Sequence, residues 1–246
     1  MTPDGNRAAR DALRTAWQAA GVYPDLTVGE AIETGCAAHP GDRIVFARVD
    51  GDTTAVTLGE LLERAGACAE RLAGVGVLAG DMVVVQAPAD LSGTEVLAAV
   101  WLLGAVAVPI ATTATASEVA HAVRQTGAAC AMVAPEWRGH DLVRPLVTGA
   151  QALGLRQVVA LGHEPIDGAL ALESIRPVPV PSGRRLQHPS SVACVLYTSG
   201  STAAPKGVQH SHETLLCGLT AVPADATSRM LGTFPAGHVA SLLGLL

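Results

Sequence analysis

The sequence predicts an α/β fold, a parallel-rich sheet with helices on both of its faces. Between residues 82 and 197, short segments that are apolar at nearly every position alternate with segments of helical periodicity. Strands that are buried on both faces have this continuous apolar pattern, whereas strands with one solvated face alternate apolar and polar residues. The chain is also long enough, at 246 residues with 49% hydrophobic residues, to bury a substantial core.

Three helices are predicted in the first 80 residues. They span 6–20, a segment that begins after Thr27, and a segment from Thr57 to about residue 73. The first is amphipathic, because Leu13, Trp17 and Ala20 share one face at helical spacing. Each of the two threonines is followed three positions later by a glutamate, a spacing that predicts a capping box at the helix N-terminus.

Strands and further helices follow in alternation. Asp50-Gly51 predicts the turn of a hairpin between strands at 43–49 and 53–56. The other predicted strands are 82–86, 106–110, 130–134, 157–161 and 192–197. The other predicted helices are 92–103 with Ser92 and Glu95 as a capping box, 117–126, and 137–153 with a disturbance near Pro145. The proline-rich segment 168–183 predicts a linker or long loop.

Composition and charge exclude several classes of protein. A net charge of −6 and an aromatic content of 3% argue against a nucleic-acid binder, which would show basic patches or aromatic stacking platforms. The five cysteines are scattered without a CxxC pair, which argues against a disulfide scaffold or a zinc site. The longest apolar run, 96–111, is too short for an ordinary membrane span, and the polar residues 1–14 do not form a signal peptide. We therefore expect a cytoplasmic protein without a membrane span.

The segment after the last predicted strand has the composition of a phosphate-binding loop. Residues 197–208 read Tyr-Thr-Ser-Gly-Ser-Thr-Ala-Ala-Pro-Lys-Gly-Val and include Lys206, the only lysine of the chain. Glycines let the backbone approach a ligand closely, and hydroxyls, backbone N–H groups and an ammonium all donate to phosphate oxygens. The segment is not a Walker A loop, because proline precedes the lysine and glycine follows it. Composition alone leaves open a polar loop that binds nothing.

The order of residues in this loop resembles the phosphate-loop signature of the adenylate-forming superfamily, which includes acyl-CoA synthetases, luciferases and peptide-synthetase adenylation domains. Its pattern is Tyr/Phe-Thr-Ser-Gly-Ser/Thr-Thr-Gly-x-Pro-Lys-Gly, and ten of its eleven positions are met from Tyr197 to Gly207. Ala203 stands where the pattern has glycine. Segments 57–61, 103–109 and 208–212 are similar to other segments of the family.

The resemblance implies a two-step reaction. A carboxylic acid would attack the α-phosphate of ATP to form an acyl-adenylate, and CoA or a carrier-protein thiol would then displace AMP. ATP, Mg²⁺ and CoA are the implied cofactors, and no metal ligand is identified in the sequence. The residues carried over as binding the nucleotide are Thr198, Ser199, Gly200, Ser201, Thr202, Lys206 and Gly207. His238, in Phe-Pro-Ala-Gly-His, is implied to lie near the acyl carboxylate and the α-phosphate.

The resemblance also implies that the chain is the N-terminal part of the large AMP-binding domain of an adenylate-forming enzyme. Its predicted parts are 1–80, with helices and a hairpin, 81–175, the first α/β unit, and 190–246, which begins a second unit with the phosphate loop. The sequence stops inside the apolar stretch 239–246, before the family's adenine, ribose and Mg²⁺-linked segments. We therefore expect a piece of a longer ligase that is inactive alone. Two alternatives stay open: a split or degenerate homologue that acts only in acyl transfer, for which Ala203 is the motivation, and a non-enzymatic interaction module.

Overall fold

The computed structural model describes residues 3–47, 51–180, 187–198 and 205–220, with the backbone alone at 3–10 and 219–220. The helices are α1 Pro3–Ala19, α2 Val28–Ala38, α3 Leu58–Gly74, α4 Leu91–Leu102, α5 Ala116–Thr126, α6 Val143–Leu153 and α7 His212–Thr220, with a 3₁₀ turn at Leu172–Ser174. The strands are β1 Arg43–Ala47, β2 Thr53–Thr57, β3 Met82–Gln86, β4 Val106–Pro109, β5 Cys130–Val133, β6 Glu136–Trp137, β7 His140–Asp141, β8 Gln157–Ala160, β9 Leu170–Ala171, β10 Val192–Tyr197 and β11 Gly207–Ser211.

The predicted parallel-rich sheet is confirmed. Within the described residues, seven strands form one sheet in the order β11-β10-β4-β3-β5-β8-β9. Every neighbouring pair is parallel except β10 and β11, which are antiparallel. The strands β1 and β2 form a separate antiparallel pair, which agrees with the predicted hairpin, although Asp50 of its turn lies outside the described residues.

Helices cover both faces of this sheet, as predicted. The apolar side chains of α2, α3, α4 and α7 pack together on one face, and those of α5 and α6 pack on the other. Successive residues of the central strand β3 point to opposite faces, so Val83 and Val85 join the first cluster and Val84 joins the second. All three valines are fully buried, which explains why this strand is apolar at successive positions.

Polar caps start the helices at the predicted places, with one correction. Capping boxes are present at Thr27 and Thr57, and a third one at Thr115 begins α5. The predicted capping box of Ser92 and Glu95 is wrong. The N-cap of α4 is Asp90, whose carboxylate accepts a hydrogen bond from the N–H of Gly93 at 3.1 Å, while the Ser92 hydroxyl donates to the same carboxylate at 2.7 Å.

We expect Asp90→Ala to lower the free energy of unfolding by about 1 kcal/mol, because it leaves an N-terminal amide of α4 without its acceptor. Asp90→Ser is the matched control, since serine is also a good N-cap and should retain most of the stability. Urea denaturation of both variants measures the difference. Equal stability of Asp90→Ala and the wild type would contradict the assignment of this cap.

The predicted helix at 137–153 is wrong in its first third. Glu136–Trp137 and His140–Asp141 form a two-residue antiparallel pair, and Arg138 between them has a φ of 51°. The helix begins at Val143, where the Asp141 carboxylate accepts hydrogen bonds from the N–H groups of residues 143 and 144, both at 2.9 Å. Pro145 therefore lies in the first turn, where its missing N–H costs no helical hydrogen bond. It does not disturb the helix.

The prediction that 168–183 is only a linker or loop is also wrong in part. Leu170–Ala171 forms the edge strand β9, parallel to β8, and the 3₁₀ turn follows it. Ala171, Leu172 and Ile175 are buried. A strand of two residues leaves little periodicity in a sequence, and the prolines around it dominated the prediction.

Candidate functional site

The topology of the sheet creates a crevice at the carboxyl ends of β3 and β5. These two strands are neighbours, but the chain leaves β3 through α4 toward β4 on one face of the sheet and leaves β5 through α6 toward β8 on the other. Open α/β sheets bind ligands at such a point, where the connections diverge. Strand β10 runs parallel to β4, so its carboxyl end, and the predicted phosphate loop that follows it, lie at the same edge of the sheet.

The two ends of the phosphate loop are joined at its base. Tyr197 of β10 pairs with Gly207 of β11, and the N–H of Thr198 donates to the carbonyl oxygen of Lys206 at 3.1 Å. Three of the predicted nucleotide-binding residues, Thr198, Lys206 and Gly207, are thereby brought together, with the side chains of the first two exposed. The other predicted site residues lie outside the described residues; they are Ser199, Gly200, Ser201, Thr202 and His238.

Helix α5 contacts this base from the second face of the sheet. Nε2 of His121 lies 2.9 Å from the carbonyl oxygen of Pro205, and the imidazole meets the ring of Tyr197 edge-on with centroids 6.2 Å apart. Tyr197 is half-buried, and burial raises the pKa of its phenol. The sequence does not indicate this contact of His121, because the partner residue lies 84 positions later in the chain and no local motif connects the two.

Trp101 of α4 forms a hydrogen bond with β10 from the opposite face of the sheet. Its indole Nε1 donates to the backbone carbonyl of Ala193 at 2.9 Å, and its side chain is 2% exposed. A carbonyl that leaves the strand ladder at this depth needs another donor, and the indole provides it. The strand that leads into the loop is therefore tied to α4 as well as to its neighbours in the sheet.

Beyond the loop, α7 is anchored to the N-terminal helices. His212, the first residue of α7, is 1% exposed, and its Nδ1 accepts a hydrogen bond from the N–H of Val28 at 3.1 Å. Its Nε2 has no hydrogen-bond partner among the described residues. Burial lowers the pKa of His212 to about 4, against a smaller opposing effect of Glu30. The next residue, Glu213, is buried and forms an ion pair with Arg14 of α1 at 2.8 Å.

A groove opens at the same edge of the sheet, next to the crevice. It has a volume of about 400 Å³ and is lined by the end of β3 and by the segments that follow β4 and β5. The polar lining includes Thr112, Thr113, Asp141 and Arg138, whose guanidinium lies 5.6 Å from the ring centroid of Trp137. The groove therefore presents charged groups of both signs.

The buried thiols are not nucleophiles. Burial is the main cause that raises the pKa of Cys68, Cys130 and Cys194 to about 12, so these side chains are neutral at physiological pH. A reactive cysteine needs the opposite shift, toward the thiolate. In the parts of the chain that the structure describes, no three His, Cys, Asp or Glu side chains are grouped as a metal site would require. No helix in those parts has the length and apolarity to cross a bilayer.

Comparison with known families decides the relationship. The model of the family described as AMP-binding enzyme matches residues 32–246, which include the whole sheet and the phosphate loop. The chain belongs to the AMP-binding enzyme family. The resemblance drawn from the loop and the neighbouring segments is thereby confirmed.

Two of the relatives of this AMP-binding family member are named as acyl-CoA synthetases. The chain is 31% identical to an acetyl-coenzyme A synthetase of Chromobacterium violaceum over 192 residues, which is 71% of this chain and 29% of that protein. It is 32% identical to a feruloyl-CoA synthase of Amycolatopsis sp. over 193 residues, which is 77% of this chain and 36% of that protein. The chain therefore matches about a third of the length of these relatives.

Solved structures confirm the fold. The structure of a long-chain-fatty-acid-CoA ligase (FadD1) from Archaeoglobus fulgidus superposes with a TM-score of 0.74 at 20% sequence identity. The superposition covers 91% of this chain and 45% of that one. The fold of this chain therefore matches a part of the fold of that ligase.

Proposed function

We propose that the protein to which this chain contributes activates a carboxylic acid with ATP and transfers the acyl group to a thiol. In the first step a carboxylate oxygen bonds to the α-phosphorus, and the bond from that phosphorus to the pyrophosphate oxygen breaks. In the second step the sulfur of CoA or of a carrier protein bonds to the acyl carbon, AMP leaves, and the thiol proton is released. These reactions take place where ATP and CoA are supplied, and we place the protein in the cytoplasm.

The observation that carries this proposal is the base of the phosphate loop, where Thr198 and Lys206 are joined at the edge of the sheet formed by the carboxyl ends of β4 and β10. Membership of the AMP-binding family and the pairing of Thr198 with Lys206 both support it. We propose that the side chains of these two residues, together with residues 199–202 and Gly207, hold the β- and γ-phosphates. Reactions at phosphate depend on positioning and charge neutralisation more than on covalent help from the protein. We propose that His238 acts near the carboxylate and the α-phosphate.

The described residues do not provide a complete Mg²⁺ site. Mg²⁺ prefers carboxylate oxygens together with substrate phosphates, and no cluster of three ligating side chains occurs in the described parts of the chain. We therefore derive no step through the metal from this chain.

A second candidate function rests on Ala203. The family pattern has glycine there, and if the position requires a left-handed backbone, alanine costs about 1–2 kcal/mol. A homologue that has lost adenylation would retain only the transfer of acyl groups between thiols. Ala203→Gly discriminates between the two candidates: a large gain of adenylation from a negligible wild-type level supports the second, and clear wild-type adenylation that the substitution changes little supports the first.

Exchange of pyrophosphate into ATP tests the main proposal. The assay uses the complete product of the reading frame that encodes this chain, here called the full product, with short aliphatic, fatty and aromatic carboxylic acids. Formation of a thioester with CoA or with an acyl-carrier protein then identifies the acceptor. Exchange that depends on one class of acid is expected, whereas neither exchange nor thioester formation with any acid would reject the proposal. Residues 1–246 alone are expected to show no exchange, since they match about a third of the length of the active ligases.

A further inference from the structure

We propose that His121 is a positioning residue of the nucleotide site: from helix α5 it holds the base of the phosphate loop and so orients Lys206. The inference rests on the proposed function. It goes beyond that function by assigning a role to a residue outside the loop. The contact that carries it joins Nε2 of His121 to the carbonyl oxygen of Pro205, at 2.9 Å.

The chemistry of this contact determines which atom carries the proton. A carbonyl oxygen only accepts hydrogen bonds, so Nε2 of His121 must be the donor. Both the neutral Nε2–H tautomer and the imidazolium have a proton on that nitrogen, so the contact persists in either state. Pro205 has no backbone N–H, so its carbonyl oxygen is the one backbone group through which it can form a hydrogen bond.

The position of that carbonyl explains why the contact bears on Lys206. The carbonyl of Pro205 and the N–H of Lys206 belong to one planar peptide unit. Holding the oxygen therefore fixes the plane from which the Cα of Lys206 departs. On the other side of the same residue, its own carbonyl accepts from Thr198 at 3.1 Å. The exposed lysine side chain thus starts from a backbone that is held on both sides.

Helix α5 is a firm support for this contact. Its buried residues Val119, Ala122 and Val123 pack in the apolar cluster on the face of the sheet that α5 and α6 cover. His121 also touches the strand that enters the loop, through the edge-on contact with Tyr197, whose hydroxyl donates to the carbonyl of Ala122 at 3.5 Å. The same turn of α5 therefore holds both the start and the end of the loop.

Two substitutions separate the hydrogen bond from the packing of the ring. His121→Phe keeps an aromatic ring against Tyr197 but removes the donor. His121→Gln keeps an N–H donor at the same number of bonds from the backbone but removes the ring. His163, exposed on another loop, supplies the control His163→Phe. All variants are made in the full product.

The readouts are the Kd of ATP by titration calorimetry, the KM values of ATP and of the carboxylic acid in pyrophosphate exchange, and the melting temperature. We expect His121→Phe to weaken ATP binding and raise the KM of ATP about fivefold, the factor of one neutral hydrogen bond of about 1 kcal/mol. The KM of the carboxylic acid should stay unchanged, and His121→Gln should recover ATP binding to within about twofold. His163→Phe should behave as the wild type.

The outcomes of this experiment distinguish failure of the positioning role of His121 from failure of the proposed function. Unchanged ATP binding in His121→Phe would remove His121 from the site. Equal loss in both variants with a lower melting temperature would make it a packing residue. Wild-type protein that binds ATP with the expected dependence on His121 but catalyses no exchange would reject the proposed function and support the positioning role. Absence of ATP binding in the wild type would reject both.

Discussion

Lys206→Ala is expected to lower the efficiency of adenylation about 30-fold while leaving the melting temperature nearly unchanged. The lysine side chain is exposed, so its removal should cost little folding free energy. Alanine also retains the backbone carbonyl that accepts from Thr198. The loss of one charge-assisted hydrogen bond to a phosphate, of about 2 kcal/mol, corresponds to the 30-fold factor. Pyrophosphate exchange at varied ATP concentration, with thermal melts of the same samples, measures both effects in the full product.

Two further variants complete this experiment. Lys206→Arg should also be impaired, because a planar guanidinium does not replace a compact ammonium in a tight loop. Arg43→Ala removes an exposed cation from the separate β1–β2 pair and should leave exchange unchanged. Unchanged exchange in Lys206→Ala would mean that the loop does not bind phosphate, and a large fall in its melting temperature would mean that the lysine is structural.

The stability of the protein is expected to fall by about 3 kcal/mol between pH 6.5 and pH 4 because of His212. Burial lowers the pKa of this side chain from 6.5 to about 4 in the folded state. In that interval the unfolded chain binds a proton that the folded chain does not, so stability decreases as the pH falls. The loss begins near pH 6.5 and is complete once the pH is below 4. Each pKa unit corresponds to about 1.4 kcal/mol, which leads to the expected fall.

His212→Asn isolates this contribution from that of the acidic residues. The Oδ1 of asparagine can accept the hydrogen bond from Val28 that Nδ1 accepts in the wild type, but asparagine does not titrate. Urea denaturation at pH 4 to 7 should show a steeper loss in the wild type than in the variant. Parallel slopes would contradict the prediction. NMR titration of the wild-type imidazole provides a measurement that does not depend on the stability of the variant, and a pKa near 6.5 would contradict it as well.

His121 and His212 take part in contacts that attach the segments on either side of the phosphate loop to surrounding helices. Helix α5 holds the base of the loop on one face, and Trp101 of α4 holds the incoming strand on the other. After β11, the contact of His212 with Val28 and the ion pair of Glu213 with Arg14 attach the outgoing helix to the N-terminal segment. The base of the loop and its flanking strand are therefore attached to helices on both faces of the sheet.

Local sequence patterns predict the features that depend on residues close together in the chain. The threonine–glutamate boxes at Thr27 and Thr57 act across three residues, and the apolar runs of the strands report burial on both faces. The order of residues from Tyr197 to Gly207 predicts the family, and the match to the family model confirms it. Local patterns gave a wrong prediction at two places. At the start of α4, Asp90 and Ser92 are both good N-cap residues, and the sequence does not distinguish between them. Before α6, helical periodicity obscured the turn at Arg138, because arginine does not indicate a positive φ.

The assembled fold sets which distant residues meet at the site. The order of strands brings β10 beside β4, and that placement sets Pro205 against His121, 84 positions earlier in the chain. The contact of His212 with Val28 spans 184 positions, and that of Glu213 with Arg14 spans 199. These pairs meet because the sheet and the helices on its two faces bring distant parts of the chain together. Their residues obey no periodicity or spacing rule that could be read along the chain, because the distance between them in space is set by every element that lies between them in sequence.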